Sequence, residues 1–164
     1  MVIGGGTGTS TILKGLKKHT NYLTAIISVM DDGGSTGRLR KDLDLIAVGD
    51  LRACLLSLAN SENNMDQLLN YRFKDGDLSG HNFGNIFIAA MNGISHDFSD
   101  AIAMTAKILN ITGKVLPITL ENANLIASLS NGQIVEGESK IPEKNHEFGT
   151  KISKISTEPG DIYM

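Results

Sequence analysis

Apolar positions recur along this chain with two different periods, which divide it into an α/β part and a later β-rich part. Leu23–Val29 is a largely apolar, β-branched run with the length of a buried strand, and Met1–Ile3 and Val115–Thr119 have the same character. Between these runs, apolar side chains recur at helical spacing. The pattern predicts helices at Ser10–Lys18, Arg38–Leu45, Leu51–Leu58, Met65–Phe73 and Phe83–Met91, and one from an Asp97 cap to Asn110.

After residue 124 the pattern changes to short β-rich runs. Leu125–Ser130 and Gln133–Glu138 flank Asn131-Gly132, the dipeptide best suited to a type I′ hairpin turn. Lys151–Ser156 alternates polar and apolar side chains, as a half-exposed strand does. The whole pattern predicts one α/β domain: a Rossmann-like, doubly wound, mostly parallel sheet in three αβα layers, with an accessory β-hairpin.

The first glycine-rich segment, Gly4–Ser10, joins a strand to a helix. Glycine permits positive φ and the close approach of a ligand, and the helix start offers free N–H groups and a positive dipole end. This arrangement suits a phosphate, although a tight turn with nothing bound is the alternative. The residues expected to bind the phosphate are Gly5, Gly6, Thr7, Gly8, Thr9 and Ser10.

The second glycine-rich segment, Asp31–Gly37, directly follows the second strand and is predicted to be a loop. An acid at this place commonly accepts hydrogen bonds from a ribose, and two adjacent acids could instead hold Mg²⁺ against a phosphate. A solvated turn is the alternative, because Asp and Gly favour turns. The ligand-binding candidates of this segment are Asp31, Asp32, Gly33, Gly34, Ser35 and the phosphate-neutralising Arg38.

Two later segments contribute further candidates. Asp50 is expected to cap the helix that follows it, and it would also line the cleft if that helix end lies there. Asn82 and Asn85 are expected to bind the ligand or to fix their own loop. His81 invites a general-base interpretation, so the catalytic candidates are Asp31, Asp32 and His81. No serine or cysteine nucleophile motif, such as a Gly-x-Ser-x-Gly elbow, is expected to accompany His81.

Composition narrows the function. Lys and Arg total 15 against 18 Asp and Glu, a net charge of −3, whereas nucleic-acid-binding proteins usually have a basic excess. No apolar run approaches the ~20 residues that span a bilayer, and the N-terminus lacks the pattern of a signal peptide. With the single cysteine Cys54, no internal disulfide can form. We expect a cytoplasmic protein with neither a nucleic-acid nor a membrane partner.

The ordered set of motifs resembles a known family. Val2–Thr9, Asp31–Arg40, Gly49–Arg52 and Gly80–Asn85 recur in that order in the gluconeogenesis-factor (YvcK) branch of the CofD-like superfamily. Further similar segments are Tyr71–Phe73, Val115–Pro117 and Gly132–Ser139. Family members are longer, so the resemblance implies that residues 1–164 are the N-terminal part of one CofD-like domain whose C-terminal half is absent.

The resemblance also implies functions. The YvcK branch is similar to cytoplasmic, non-enzymatic regulators that bind UDP-sugars, notably UDP-N-acetylglucosamine, and that support cell shape on gluconeogenic carbon sources. CofD relatives instead transfer a phospho-lactyl group with a divalent metal, which makes a 2-phospho-L-lactate transferase the alternative. A NAD-dependent oxidoreductase ranks third, because no Tyr-x-x-x-Lys constellation is present. The implied partner is a nucleotide or nucleotide-sugar, with Mg²⁺ or a bound nucleotide as cofactor, and self-association fits the family.

Overall fold

A computed structural model describes residues 1–60, 63–141 and 149–160. Its first part is a parallel sheet of three strands in the order β1-β2-β3. These strands are β1 (Val2–Gly4), β2 (Thr24–Ile27) and β3 (Lys114–Pro117). Helix α1 (Gly6–Leu16) connects β1 to β2, and the parallel ladders run through all three strands. The predicted α/β, Rossmann-like class is confirmed.

The long connection between β2 and β3 is helical. Its helices are α2 (Gly34–Leu43), α3 (Gly49–Leu58), α4 (Asn63–Asn70), α5 (Phe83–Ile94) and α6 (Phe98–Ile108). The Asp97 carboxylate caps α6 by accepting from the Asp100 amide, as predicted. None of the helices in the described part of the chain combines the length and apolar character needed to cross a membrane.

The main core lies between one face of the parallel sheet and its helices. Leu13 of α1, Ile27 of β2 and Leu51 and Leu55 of α3 are completely buried in one cluster. Each such side chain contributes about 1.5–3 kcal/mol through burial. The other face carries a row in register, Ile3, Ile26 and Leu116, in which Ile3 is 62% and Leu116 46% exposed.

An antiparallel sheet follows β3, and we call it the accessory sheet. Its strands β4 (Asn124–Leu129), β5 (Ile134–Glu136) and β6 (Ile152–Glu158) have the order β5-β4-β6. The predicted hairpin is confirmed as β4 and β5, and β6 pairs with the other edge of β4. Its predicted type I′ turn is wrong, because that turn needs positive φ at both Asn131 and Gly132 and only Gly132 has it. A small core of Ala127, Leu129, Val135 and Ile141 supports this sheet.

Four helix starts differ from the sequence-based expectations, and that of α4 lies at Asn63 rather than Met65. Helix α1 begins at Gly6 rather than Ser10, and α2 begins at Gly34, inside the segment predicted to be a loop. Helix α3 begins at Gly49 with Val48 in the cap position, so the prediction that Asp50 caps this helix is wrong. At the starts of α1 and α2, glycine does not prevent helix formation. Gly6 (φ +69°) and Gly34 (φ +46°) instead turn the chain directly into the helix.

Candidate functional site

The carboxyl edge of the parallel sheet opens into a cavity of about 510 Å³. The start of α1, the end of β2 and the first turn of α3 form one wall, and the accessory sheet forms the other. This is where α/β proteins bind ligands, because helix starts and strand ends meet there. The lining residues are Gly5, Gly6, Ser28, Met30, Asp31, Asp50, Leu125 and Glu138.

The start of α1, where Gly5 and Gly6 line this cavity, leaves hydrogen-bond donors unused. Gly5 is extended in the cap position and makes no side-chain cap bond. The Gly6 amide donates to the Asp50 carboxylate. Within the described part of the chain, no group accepts from the amides of Thr7 and Gly8, which are among those that a helix cannot satisfy internally. A bound anion would accept hydrogen bonds from both amides.

The hydroxyl groups of this segment contribute less than the sequence suggested. The Thr9 hydroxyl donates to the Gly5 carbonyl at 3.1 Å, and the Ser10 hydroxyl donates to the Thr7 carbonyl at 3.0 Å. Thr9 is also buried, whereas Thr7 is exposed. The donors that α1 presents to a ligand are therefore mainly backbone amides.

Three carboxylates line the cavity beside these amides. Burial raises the pKa of Asp50 above its ordinary value, and the nearby Asp31 raises it further. The hydrogen bond from the Gly6 amide lowers this pKa but does not cancel the rise. Burial likewise raises the pKa of Glu138, with smaller contributions from Asp31, Asp32 and Asp50. Like charges in a partly buried site disfavour one another's ionised form. A cation at this place would relieve that repulsion.

The two adjacent acids have different surroundings. The Asp31 carboxylate accepts from the Gly33 amide at 2.9 Å and faces the cavity. Asp32 accepts from the Ser139 amide at 2.9 Å, which ties it to the accessory sheet. Within residues 1–60, 63–141 and 149–160, Asp31 and Asp32 do not gather with a third His, Cys, Asp or Glu ligand atom within 4.8 Å. A Mg²⁺ ion would need further oxygens, such as those of a phosphate.

The two arginines of the second segment donate hydrogen bonds to backbone carbonyls of the chain itself. Arg38 is exposed and donates to the Ser79 carbonyl at 2.9 Å, so it is directed at that loop. Arg40 is buried and donates to the carbonyls of Asp31 (3.2 Å) and Ala123 (2.9 Å). It thereby joins the acidic segment to the start of the accessory sheet.

Ser35 and His81 form a buried pair that the sequence analysis did not recognise. Their Oγ and Nδ1 atoms are 3.2 Å apart, and Gly33–Gly37 has the Gly-x-Ser-x-Gly spacing of a nucleophile elbow. The Ser35 oxygen also accepts from the Asn82 amide at 3.1 Å and from the Asn85 side chain at 3.4 Å. Because its donor and both lone pairs are engaged, the pair joins α2 to α5 rather than presenting a free nucleophile.

Neither His81 nor the two asparagines lines the cavity. Burial lowers the pKa of His81, with further lowering by Arg38 and Arg72 that outweighs the raising effect of Asp42. The Asn82 side chain caps α5 by accepting from the Asn85 amide at 3.2 Å. The side-chain oxygen of Asn85 accepts a hydrogen bond from Arg52 Nε at 2.9 Å. Of the two roles expected for Asn82 and Asn85, these contacts support fixing the loop.

The sequence analysis missed four of the cavity residues, Ser28, Met30, Leu125 and Glu138, and Glu138 is the charged one among them. Its place in the motif Gly137-Glu138-Ser139 was the available signal. That signal was insufficient because Glu138 lies 88 residues after Asp50 (138 − 50) and reaches the cavity only when the accessory sheet folds against the helix starts.

A family model described as 2-phospho-L-lactate transferase CofD matches residues 1–163. A protein of Thermoanaerobacterium thermosulfurigenes is 51% identical over 161 residues, which are 98% of this chain and 50% of that protein. The gluconeogenesis factor of Listeria monocytogenes is 44% identical over 163 residues, 99% of this chain and 49% of that protein.

Solved structures agree. The crystal structure of a protein from Bacillus halodurans has a TM-score of 0.91 with 43% identity, and the match covers 98% of this chain and 51% of that one. The chain spans about half the length of the curated relatives that it matches. It belongs to the CofD family and, within it, is similar to the gluconeogenesis factors.

Proposed function

We propose that this chain forms the phosphate-binding part of a UDP-sugar site in a cytoplasmic regulatory protein linked to carbon metabolism and cell shape. The observation that carries the proposal is the pair of unsatisfied amides, Thr7 and Gly8, in the first turn of α1 directly after the cavity-lining Gly5 and Gly6. Paired N–H groups at the positive end of a helix dipole are the usual protein site for a phosphate. The similarity to gluconeogenesis factors supports the link to carbon metabolism.

The carboxylates in the cavity indicate that a diphosphate would bind there together with a cation. Asp31 and Asp50 would repel an unaccompanied phosphate, and Asp50 already occupies the Gly6 amide. A Mg²⁺ ion between these carboxylates and the diphosphate would convert repulsion into shared coordination. The proposal therefore includes Mg²⁺ as part of the bound species, with Asp31 and Asp50 as its nearest protein oxygens.

A regulatory role is preferred over catalysis because of where the acid–base candidates lie. His81 and Ser35 bond to each other and to α5, outside the residues that line the cavity. The carboxylates in the cavity favour the second candidate, a transferase of the kind that names the family model. Substitution of Asp31 by Asn separates the two: it should abolish metal-dependent transfer in a transferase but only weaken binding in a regulator.

Calorimetric titration with UDP-N-acetylglucosamine and Mg²⁺ tests the proposal through one amide. Proline is tolerated in the first turn of a helix, so Thr7→Pro removes the N–H, whereas the matched Thr7→Ala removes the hydroxyl and keeps the N–H. We expect the proline variant to bind roughly tenfold more weakly, the loss for one hydrogen bond to a charged group. The alanine variant should bind like the wild type. No heat at millimolar ligand with the wild type would contradict the proposal.

A further inference from the structure

The accessory sheet supplies its own wall to the cavity. Leu125 of β4 and Glu138, two residues after β5, line it opposite Gly5 and Gly6. A ligand held by its phosphate at α1 would therefore extend toward Leu125 and Glu138. The group that meets them must suit an apolar surface beside a carboxylate.

The turn that carries Glu138 is held in place from both sides. The Gly137 amide donates to the Leu125 carbonyl at 2.9 Å, and the Ser139 amide donates to Asp32 at 2.9 Å. Gly137 has φ +99°, and a side chain there would collide with the Asp32 carboxylate. Asp32 thus bonds to the residue after Glu138 and lies against the residue before it, which orients the Glu138 side chain without touching the ligand.

The strand behind this turn is fixed as well. Arg40 donates to the Ala123 carbonyl at 2.9 Å and to the Asn124 side chain at 3.0 Å, at the start of β4. The same guanidinium holds the Asp31 carbonyl. The two walls of the cavity are therefore joined through buried contacts, and Glu138 has a defined position relative to α1.

The Glu138 carboxylate has no donor of its own within the described part of the chain. Its side chain is exposed overall, yet partial burial at the cavity and the acids Asp31, Asp32 and Asp50 raise its pKa. A carboxylate in such surroundings is stabilised by groups that donate hydrogen bonds to it. It repels phosphate, so the ligand group beside it must be a neutral donor or a cation.

We propose that Glu138 is the specificity residue of this site, accepting hydrogen bonds from the hydroxyl groups of the ligand's sugar, and that Asp32 is its positioning residue. The inference rests on the proposed function, because it assumes a phosphate at α1. It assigns the diphosphate to the α1 wall and the sugar to the accessory-sheet wall.

Titration with two probes, UDP-N-acetylglucosamine and UDP, both with Mg²⁺, tests the assignment. Glu138→Ala should weaken binding of the sugar nucleotide roughly tenfold and leave UDP binding unchanged, because only the sugar loses a partner. Glu158→Ala is the matched control at the exposed end of β6, and it should change neither affinity.

Asp32→Ala should reproduce the same selective loss, and the double variant with Glu138→Ala should lose no more than either alone. A merely structural role for Asp32 would weaken UDP binding equally, which would overturn the positioning role. An unchanged ratio of the two affinities in Glu138→Ala overturns the specificity role while the phosphate site stands. A loss for both probes that depends on Mg²⁺ makes Glu138 a cation ligand instead. A wild-type chain that binds neither probe refutes this inference and the proposed function together.

Discussion

The starts of α1 and α2 look alike in sequence, since each is a glycine-rich segment with hydroxyl residues that follows a strand of the parallel sheet. In both, an extended glycine precedes a glycine with positive φ, Gly6 at +69° and Gly34 at +46°. Their surroundings differ. At α1, Thr7 is exposed and its amide is unsatisfied, whereas Ser35 of α2 is buried and bonded to His81 and α5.

This difference teaches that a glycine-rich helix start can serve two opposite purposes. At α1 the missing side chains leave space for a ligand, because nothing lies within 4 Å of a side chain built at Gly6 or Gly8. At α2 the missing side chain lets the protein's own backbone approach, because a side chain at Gly37 would overlap the Asp32 carbonyl. The first is an open site and the second is a packed joint.

The largest expected effect is a loss of stability in Gly37→Ala. The added methyl group meets backbone that cannot move without displacing the acidic segment, so we expect a loss of about 3 kcal/mol and a Tm lower by roughly 6–12 °C. Thermal unfolding followed by circular dichroism measures it. Gly8→Ala, in the first turn of α1 with open space around it, is the matched control and should leave Tm unchanged or raise it. Equal losses in both variants would remove the distinction between the two starts.

An intermediate effect is expected from valine at the two positive-φ glycines. Gly6→Val and Gly34→Val both place a side chain in left-handed backbone with free space around it, at a cost of roughly 1–2 kcal/mol or more in stability. Only Gly6 lines the cavity. Titration with pyrophosphate and Mg²⁺ should show binding lost at least tenfold in Gly6→Val but retained in Gly34→Val.

If both valine variants lose pyrophosphate binding equally, the α2 start is also a ligand site. If both retain it, the anion does not lie on α1. The circular dichroism spectra of the two variants should remain alike, which keeps the comparison independent of folding.

The smallest expected effect is the pH dependence of stability that His81 contributes at the packed start of α2. Burial lowers the pKa of His81 below its ordinary 6.5, so the folded chain resists a proton that the unfolded chain accepts. Stability should therefore fall as pH decreases below 6.5, by less than about 1.4 kcal/mol per pH unit for this group. Urea unfolding between pH 7 and pH 5.5 should show a shallower slope in His81→Asn.

The sequence predicted what depends on local periodicity and missed what depends on distant contacts. The strand at Leu23–Val29, the Asn131-Gly132 hairpin and the Asp97 cap follow from patterns within ten residues, and the structure confirms them. The start of α2 was missed because glycine normally argues against a helix, and here tertiary contacts through Ser35 outweigh that preference.

The site was predicted in part for the same reason. The segments that meet at the cavity, Gly5–Gly6, Asp31 and Asp50, were identified from their place after strands and before helices. No local pattern shows that Arg40 bonds to Asn122–Asn124, because more than 80 residues separate them. Contacts of that kind assign Arg40 and Asp32 to holding the two sheets together.

The most direct test of the account is an NMR titration that follows the backbone amides of Thr7 and Gly8 while UDP-N-acetylglucosamine and Mg²⁺ are added. A phosphate accepted by these two N–H groups should move both signals downfield with saturation, while the amides of Ser35 and Thr36 at the α2 start stay in place. Binding that shifts the α2 amides and leaves Thr7 and Gly8 unchanged would contradict the assignment of the phosphate to α1.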